Sequence, residues 1–398
     1  MKTLRLAVDP HHLETPEAHA ALDRAAAILR AGGLVALPTE TVYGLGANAF
    51  DREAVERIFA AKSRPAWDPV IVHIASEAML QAVVGEESQT ARRVPDAARR
   101  LIDAFWPGPL TLLLPKSGAV PDVVTAGRPL VGVRMPSHPV ALELILRAGV
   151  PVAAPSANRF GHVSPTTAEH VLHDLDGRID MVLDGGPSPR GVESTVLDPA
   201  ASPMIIYRSG AVTADQIRSI AGPVELYRGD DVLRETPSDT PVAGTLPPGT
   251  HIAALPSPGV GLKHYAPRAR LVLVEAPAEE LASCLAAAAE AESGERVGVM
   301  LPEGIRGEHE IRAAQIYAWG KWGAPETLAR DLYAGLRALD AAACTVILCP
   351  LPPAEGIGAA IRDRLVKAGT EGTSRRKTGN REQGTGNRED SLIGTNGN

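Results

Sequence analysis

Residues 32–73, GGLVALPTETVYGLGANAFDREAVERIFAAKSRPAWDPVIVH, decide how the rest of this chain is read. The segment reads as a strand, a tight Gly/Thr-rich turn, a short helix, a basic pair and a second strand. Val35 and Leu37 lie in an apolar run of strand length that Pro38 ends. Thr39, Glu40, Thr41 and Tyr43 then fall at the strand exit, where α/β sheets place ligands. Asp51 suits the N-cap of a helix whose Val55, Ile58 and Phe59 recur at helical spacing. Lys62 and Arg64 follow that helix, and a β-type run resumes at Val70. Two cations and several hydroxyls near one sheet edge point to a polyanion site.

Outward from this stretch, Thr15-Pro16-Glu17 opens a helix with a capping hydroxyl, a first-turn proline and an acid. Its buried face is Leu22, Ala25, Ile28 and Leu29, and Gly32-Gly33 stop it. Further helices are expected at 95–105 and 139–148, with strands at 110–114, 131–135 and 150–154. Ser164-Pro165-Thr166-Thr167 reads as another helix start. Short strands follow at 181–184, 195–198 and 205–208, and Thr213-x-x-Gln216 is a capping box. The expected fold class is α/β, with a twisted mixed sheet over residues 1–222.

Residues 223–268 are dense in Pro and Gly and lose periodicity, as a linker does. A smaller Rossmann-like α/β unit is expected over 269–369. Its strands fall at 270–275, 296–301 and 344–349, and its helices near 278–292, 325–339 and 357–367. It carries no phosphate-binding Gly fingerprint. From residue 370 to 398 the chain is polar, with TGNRE occurring twice, and reads as a disordered tail.

A length of 398 residues accommodates two cores. No apolar run approaches the roughly 20 residues of a membrane span, and the N-terminus lacks a signal-peptide core, so a cytoplasmic address and no membrane partner are expected. The net charge of −7 argues against a surface coated to bind nucleic acid, though not against a local basic pocket. Cys284, Cys344 and Cys349 all lie in the last third, with no CxxC, and read as apolar fillers.

Individual residues leave two readings open. Lys62 and Arg64 are solvated charges or anion ligands; Arg134, on a strand, needs either an internal acid or a ligand carboxylate. His73 is a core histidine or a site residue. Ser156 and Asn158 make a turn or a site, and Ser164 is an N-cap or part of an anion site at a helix start. Gly44-Leu45-Gly46-Ala47-Asn48-Ala49 formally matches GxGxx(G/A), a short pattern that would make the chain a nicotinamide-dependent oxidoreductase. No G-x-x-x-x-G-K-[ST], H-E-x-x-H or Cys/His metal set is present, and no Ser-His-Asp set can be assembled by spacing.

PTETVYGLG, K-x-R-P and P-x-x-x-H-I are followed in order by GPLTLLL, VRMPSHP, APSAN, SPTTAEHV, DGGPSPRGVESTVLD and YRSG. This series resembles the YrdC/Sua5 family, the threonylcarbamoyl-AMP synthases, over roughly residues 20–212. SPGVGLKHYAP is similar to the linker of the longer Sua5 type. The resemblance implies a nucleotidyltransferase that condenses L-threonine, bicarbonate or CO2, and ATP with Mg2+, releasing pyrophosphate. A partner transferase complex would then modify adenosine 37 of tRNAs reading ANN codons. By motif, Arg134 would hold the threonine carboxylate, with Thr41, His73, Ser156 and Ser194 around the amino acid. Lys62, Arg64, Asp68, Asn158, Ser164 and Arg208 would serve ATP, and His264 and Tyr265 would close over the nucleotide. The chain departs from the family pattern at Asp68, where Asn is common, at Leu130 in place of Thr, and at Leu262 in place of Tyr. The competing class is a non-catalytic RNA-binding module, with weak tRNA contact, using the same basic concavity.

Overall fold

Two side-chain caps set the first helices. The Thr15 hydroxyl accepts from Ala18 N at the head of Pro16–Arg30, and the Asp51 carboxylate accepts from Ala54 N at the head of Arg52–Lys62. The computed structural model describes residues 2–85, 94–227, 257, 265–305, 311–369 and 376–377. Among these, no helix is long and apolar enough to cross a membrane.

The first layer is a mixed sheet of eleven strands. Its spatial order is Leu4–Ala7, Met181–Asp184, Val35–Leu37, Gly44–Asn48, Val152–Ala153, Val72–His73, Leu130–Arg134, Leu110–Pro115, Thr195–Asp198, Met204–Arg208 and Val224–Leu226. Helices Pro16–Arg30 and Pro139–Ala148 bury Leu22, Leu29, Leu144 and Ile145 against one face, with Met181 and Leu183. A larger core gathers Ile58, Val72, Leu112, Val133 and Leu197. Each of these side chains is fully buried, which stabilises by roughly 1.5–3 kcal/mol apiece before entropy is counted. Strands Val72–His73 and Leu130–Arg134 run parallel in a register that pairs His73 with Arg134. That pairing brings two expected site residues side by side.

The α/β class and its two layers agree with the sequence reading, but several elements do not. Gly44–Asn48 is no turn: it is a strand, antiparallel to Val35–Leu37. A Cβ at Gly46 would meet Val152 Cγ1 at 2.8 Å and Leu37 Cδ2 at 2.9 Å, so glycine is there for close strand packing. With the glycines inside a strand, the dinucleotide-type turn does not exist. The helix after Ser164 starts at Ala168, and its cap is Thr167, which accepts from His170 N. Ser164 is therefore not an N-cap.

The second layer is a five-stranded, all-parallel sheet in the order Gln315–Lys321, Val297–Glu303, Val346–Pro350, Arg270–Glu275, Arg376–Lys377. Helices Leu281–Ala291, Pro325–Ala341 and Ile357–Ala368 pack on it. Gln315–Lys321 was not expected as a strand; it lies at a sheet edge and is mostly exposed. Within 223–268, Val224–Leu226 is a strand at the edge of the first sheet. Of the tail, Arg376–Lys377 pairs with Arg270–Glu275, and the remainder lies outside the described residues, as do His264 and Leu262.

Candidate active site

The Val35–Leu37 strand ends in Pro38, and the next residues fold into a hydroxyl knot. Thr39 Oγ1 donates to Val42 O at 2.6 Å and lies 2.9 Å from Thr41 Oγ1. Arg134 Nη1 donates to Thr41 Oγ1 at 2.9 Å, and its Nε donates to Gly108 O at 3.2 Å. Arg134 is 3% exposed, and Glu40 Oε1 lies 2.6 Å from its Nη2 as an ion pair that is not aligned as a hydrogen bond. Of the two partners left open for Arg134, the internal acid is present, as Glu40. The guanidinium still has N–H donors on both Nη atoms beyond the one given to Thr41.

A cavity of about 600 Å³, counting its open mouth, lies over this knot. Thr41, Arg64, His73, Arg134, Ser156, Ser194, Arg208 and Tyr265 all line it, with Val42 and Ile71 as apolar wall. Burial, with Arg134 beside it, pushes the His73 imidazole down to about 3, so the ring is neutral near pH 7. Ser194 Oγ lies 2.8 Å from Thr111 Oγ1, and its carbonyl accepts from Arg208 Nε and Nη2 at 3.1 and 2.9 Å. Burial lowers the Arg208 guanidinium from its ordinary value, while Tyr265 and Glu193 oppose that.

The basic pair separates. Ser63, at φ 54°, turns the backbone between Lys62 and Arg64. Lys62 is 1% exposed and donates to the carbonyls of Ser156, at 2.5 Å, and Asn158. Burial first, and the Arg64 charge second, push its ammonium well below the usual range. Lys62 thus holds the loop that presents Ser156, and is not itself in the cavity wall. Arg64 is in the wall, fixed by Asp68 O at 3.1 Å, Pro69 O at 2.7 Å and the Asp68 carboxylate at 2.9 Å. These contacts run through its Nε and Nη2. Asp68 is wholly buried, which raises its carboxyl against the pull of Arg64 and Lys62. Asn158 Nδ2 donates to the carbonyls of Arg159 and His162, closing a turn. Ser164 Oγ donates to Glu193 Oε1 at 2.7 Å.

Three residues of this neighbourhood escaped the reading of motifs, Glu193, Tyr333 and Arg364, while Glu40 was placed at the strand exit without a partner. Glu40 and Glu193 stand inside the quoted segments PTET and GVEST, beside Thr41 and Ser194, and adjacency was the available signal. Tyr333 and Arg364 gave none, because they reach the cavity wall only through tertiary packing.

The site is thus a cavity of an α/β fold without a P-loop that gathers buried guanidinium groups among serine and threonine hydroxyls. The chain belongs to the YrdC/Sua5 family, in its two-domain form. A family model described as Telomere recombination (Sua5/YciO/YrdC) matches residues 27–210, and one described as Threonylcarbamoyl-AMP synthase, C-terminal domain, matches residues 212–370. The threonylcarbamoyl-AMP synthase of Bacillus subtilis (strain 168) is 42% identical over 370 residues, 92% of this chain and 98% of the relative. That of Pyrococcus abyssi is 40% identical over 346 residues, 86% and 92% of the two chains. The crystal structure of P. abyssi Sua5 complexed with L-threonine superposes with a TM-score of 0.79 at 36% identity, covering 95% of this chain and all of that one.

Proposed function

We infer that this chain is an L-threonylcarbamoyladenylate synthase, a nucleotidyltransferase. The observation that carries the reading is the single cavity lined by Arg64, Arg134 and Arg208 together with Thr41, His73, Ser156 and Ser194. Relatives bearing the synthase name match nearly the whole chain, and a similar structure is described with L-threonine. This favours catalysis over the RNA-binding reading.

In the proposed reaction the threonine amine captures CO2, supplied as bicarbonate, to give a carbamate. A carbamate oxygen attacks the α-phosphorus of ATP, a P–O bond forms, and the bond to pyrophosphate breaks. No protein nucleophile is needed. The protein must align two anions and offset their repulsion, which is catalysis by positioning and preorganised charge. We assign the threonine carboxylate to the donors remaining on Arg134 and the amino-acid body to Thr41, His73, Ser156 and Ser194. A neutral His73 there can take or give a hydrogen bond without adding repulsion against the amine. Arg64 and Arg208 would face the phosphates, each already held by protein carbonyls and so ordered before substrate arrives. Asp68, Asn158 and Ser164 would serve the ATP side indirectly, as the frame of these groups, and Lys62 would frame the threonine side through the loop that carries Ser156. Tyr265, and His264 next to it in sequence, would cover the nucleotide.

Mg2+ would enter on the triphosphate as part of the substrate. Among the described residues no group of three His, Cys, Asp or Glu side chains could hold a metal ion. The product would pass to the tRNA-modifying transferase complex. Incubating the protein with threonine, bicarbonate, ATP and Mg2+ tests the reading. Threonine-dependent pyrophosphate release is expected; its absence, together with RNA binding that weakens steeply with salt, would favour the RNA-binding module instead.

A further inference from the structure

Glu193 lines the cavity one residue before Ser194, and its carboxylate is taken up by the second layer. Tyr333 OH, from helix Pro325–Ala341, donates to it, at 2.9 Å to Oε2 and 3.0 Å to Oε1. Arg364 Nε, from helix Ile357–Ala368, donates to Oε2 at 2.9 Å. The same two residues grip Tyr265, another lining residue. The Tyr333 and Tyr265 rings stack at 5.8 Å between centroids and 21° between planes, and the Arg364 guanidinium lies 5.3 Å from the Tyr265 ring centre.

The docking around this clamp is close. Val42, Val163 and Val192 of the first layer share an apolar cluster with Leu332, Tyr333 and Leu336 of the second. Arg337 pairs with Asp174 at 2.9 Å. Gly191, at φ 68°, lies against the Pro325–Ala341 helix so closely that a Cβ would stand 2.4 Å from the carbonyl oxygens of Ala329 and Arg330. An apolar contact would hold two layers together without desolvating a charge. A buried carboxylate–guanidinium pair is a costly way to do so, and this one ends on a group in the cavity wall.

We propose that Arg364 and Tyr333 are positioning residues for the reaction: by clamping Glu193 and Tyr265 they fix the Glu193–Ser194 segment and, through the Ser194 carbonyl, Arg208. This gives the second layer a role in the chemistry of the first, and it rests on the synthase reading above. The charged and titratable groups facing Glu193 are Arg364, Arg208, Tyr333 and Tyr265, with Asp363 bound behind Arg364 at 2.7 Å. Burial alone would raise the Glu193 carboxyl, but Arg364 and then Arg208 hold it below its ordinary value. Removing the Arg364 charge therefore moves its titration upward.

The test compares the full chain with Arg364→Met, Arg364→Lys, Tyr333→Phe and the double variant Arg364→Met/Glu193→Gln. Threonine-dependent pyrophosphate release is followed from about pH 5 to about pH 9, well below each variant's melting temperature. Arg364→Met should lower kcat/KM for ATP by roughly tenfold or more, as the loss of an ordering hydrogen-bonded charge does, and shift the acid limb of the profile to higher pH. Arg364→Lys should recover part of the loss. Tyr333→Phe, which removes a neutral donor to the same carboxylate, should give a smaller loss and a smaller upward shift of the limb. The double variant should lose the shifted limb, since no carboxyl remains to titrate.

A profile superimposable on that of the unmodified chain, or a loss tracking the melting temperature alone, would overturn the proposal. Hydrogen exchange separates this outcome from failure of the synthase reading. If the unmodified chain releases no pyrophosphate, Arg364→Met must still raise amide exchange selectively at residues 193–195 and 265–266. Unchanged exchange there would overturn the clamp itself.

Discussion

Arg134 carries two obligations, and they can be separated by mutation. Removing it alone leaves Glu40 as an uncompensated buried carboxylate, at a cost of roughly 3–5 kcal/mol in stability. The informative variant is therefore Arg134→Met with Glu40→Gln. Its threonine KM should rise by about 10- to 100-fold, the worth of a hydrogen bond to a charged group, while the KM for ATP moves less than about threefold. Steady-state kinetics with each substrate varied in turn checks this, and an effect confined to ATP would reverse the assignment. His73 makes a second residue-scale prediction. Its imidazole is held near 3 in the folded chain against 6.5 when free, so below about 6.5 the unfolded state binds a proton that the native state refuses. Stability should fall as pH drops through that window. His73→Gln should flatten the slope by roughly 0.7 kcal/mol per pH unit near pH 6.5, rising to roughly 1.4 near pH 5, read from urea midpoints. An unchanged slope would place the ring in contact with water. That Arg134 would be buried and paired was legible from a cation on an apolar strand. That its partner would be Glu40, 94 positions earlier, was not, because sequence spacing carries no information about a sheet crossover.

At the scale of elements, Lys62 belongs to the loop it holds. Lys62→Met should orphan the Ser156 and Asn158 carbonyls, costing about 1–3 kcal/mol apiece, and should raise the threonine KM through a displaced Ser156. A raised ATP KM with an unchanged melting temperature would mean that the ammonium touches nucleotide directly. The elements with hydroxyl or carboxylate caps were readable: Thr15, Asp51 and the Thr213/Gln216 box all cap where the residue types say. The Gly44–Asn48 strand was not readable, since its two glycines signal a turn when seen alone. Here their smallness is set by the neighbouring strand, with Gly46 wedged between Val152 and Leu37. The Ser164 segment misled for a related reason: three candidate caps stand in a row, and only the fold selects Thr167.

For the whole molecule, the order of strand and helix signals sufficed to read two α/β layers. What joins the layers was invisible, because Arg364 and Glu193 lie 171 positions apart and neither belongs to a local pattern that names the other. The cavity that results collects guanidinium groups from a strand end, a helix exit and a second strand, and lays them beside serine and threonine hydroxyls. The reaction proposed for it would make a covalent linkage from CO2: the carbamate carbon of threonine joined through oxygen to the α-phosphorus. The direct measurement is NMR of the reaction product made from 13C-bicarbonate, threonine and ATP. The account predicts a threonine-dependent 13C resonance split by coupling to 31P. A product that joins threonine to AMP without the label, or labelled carbon with no phosphorus coupling, would contradict it.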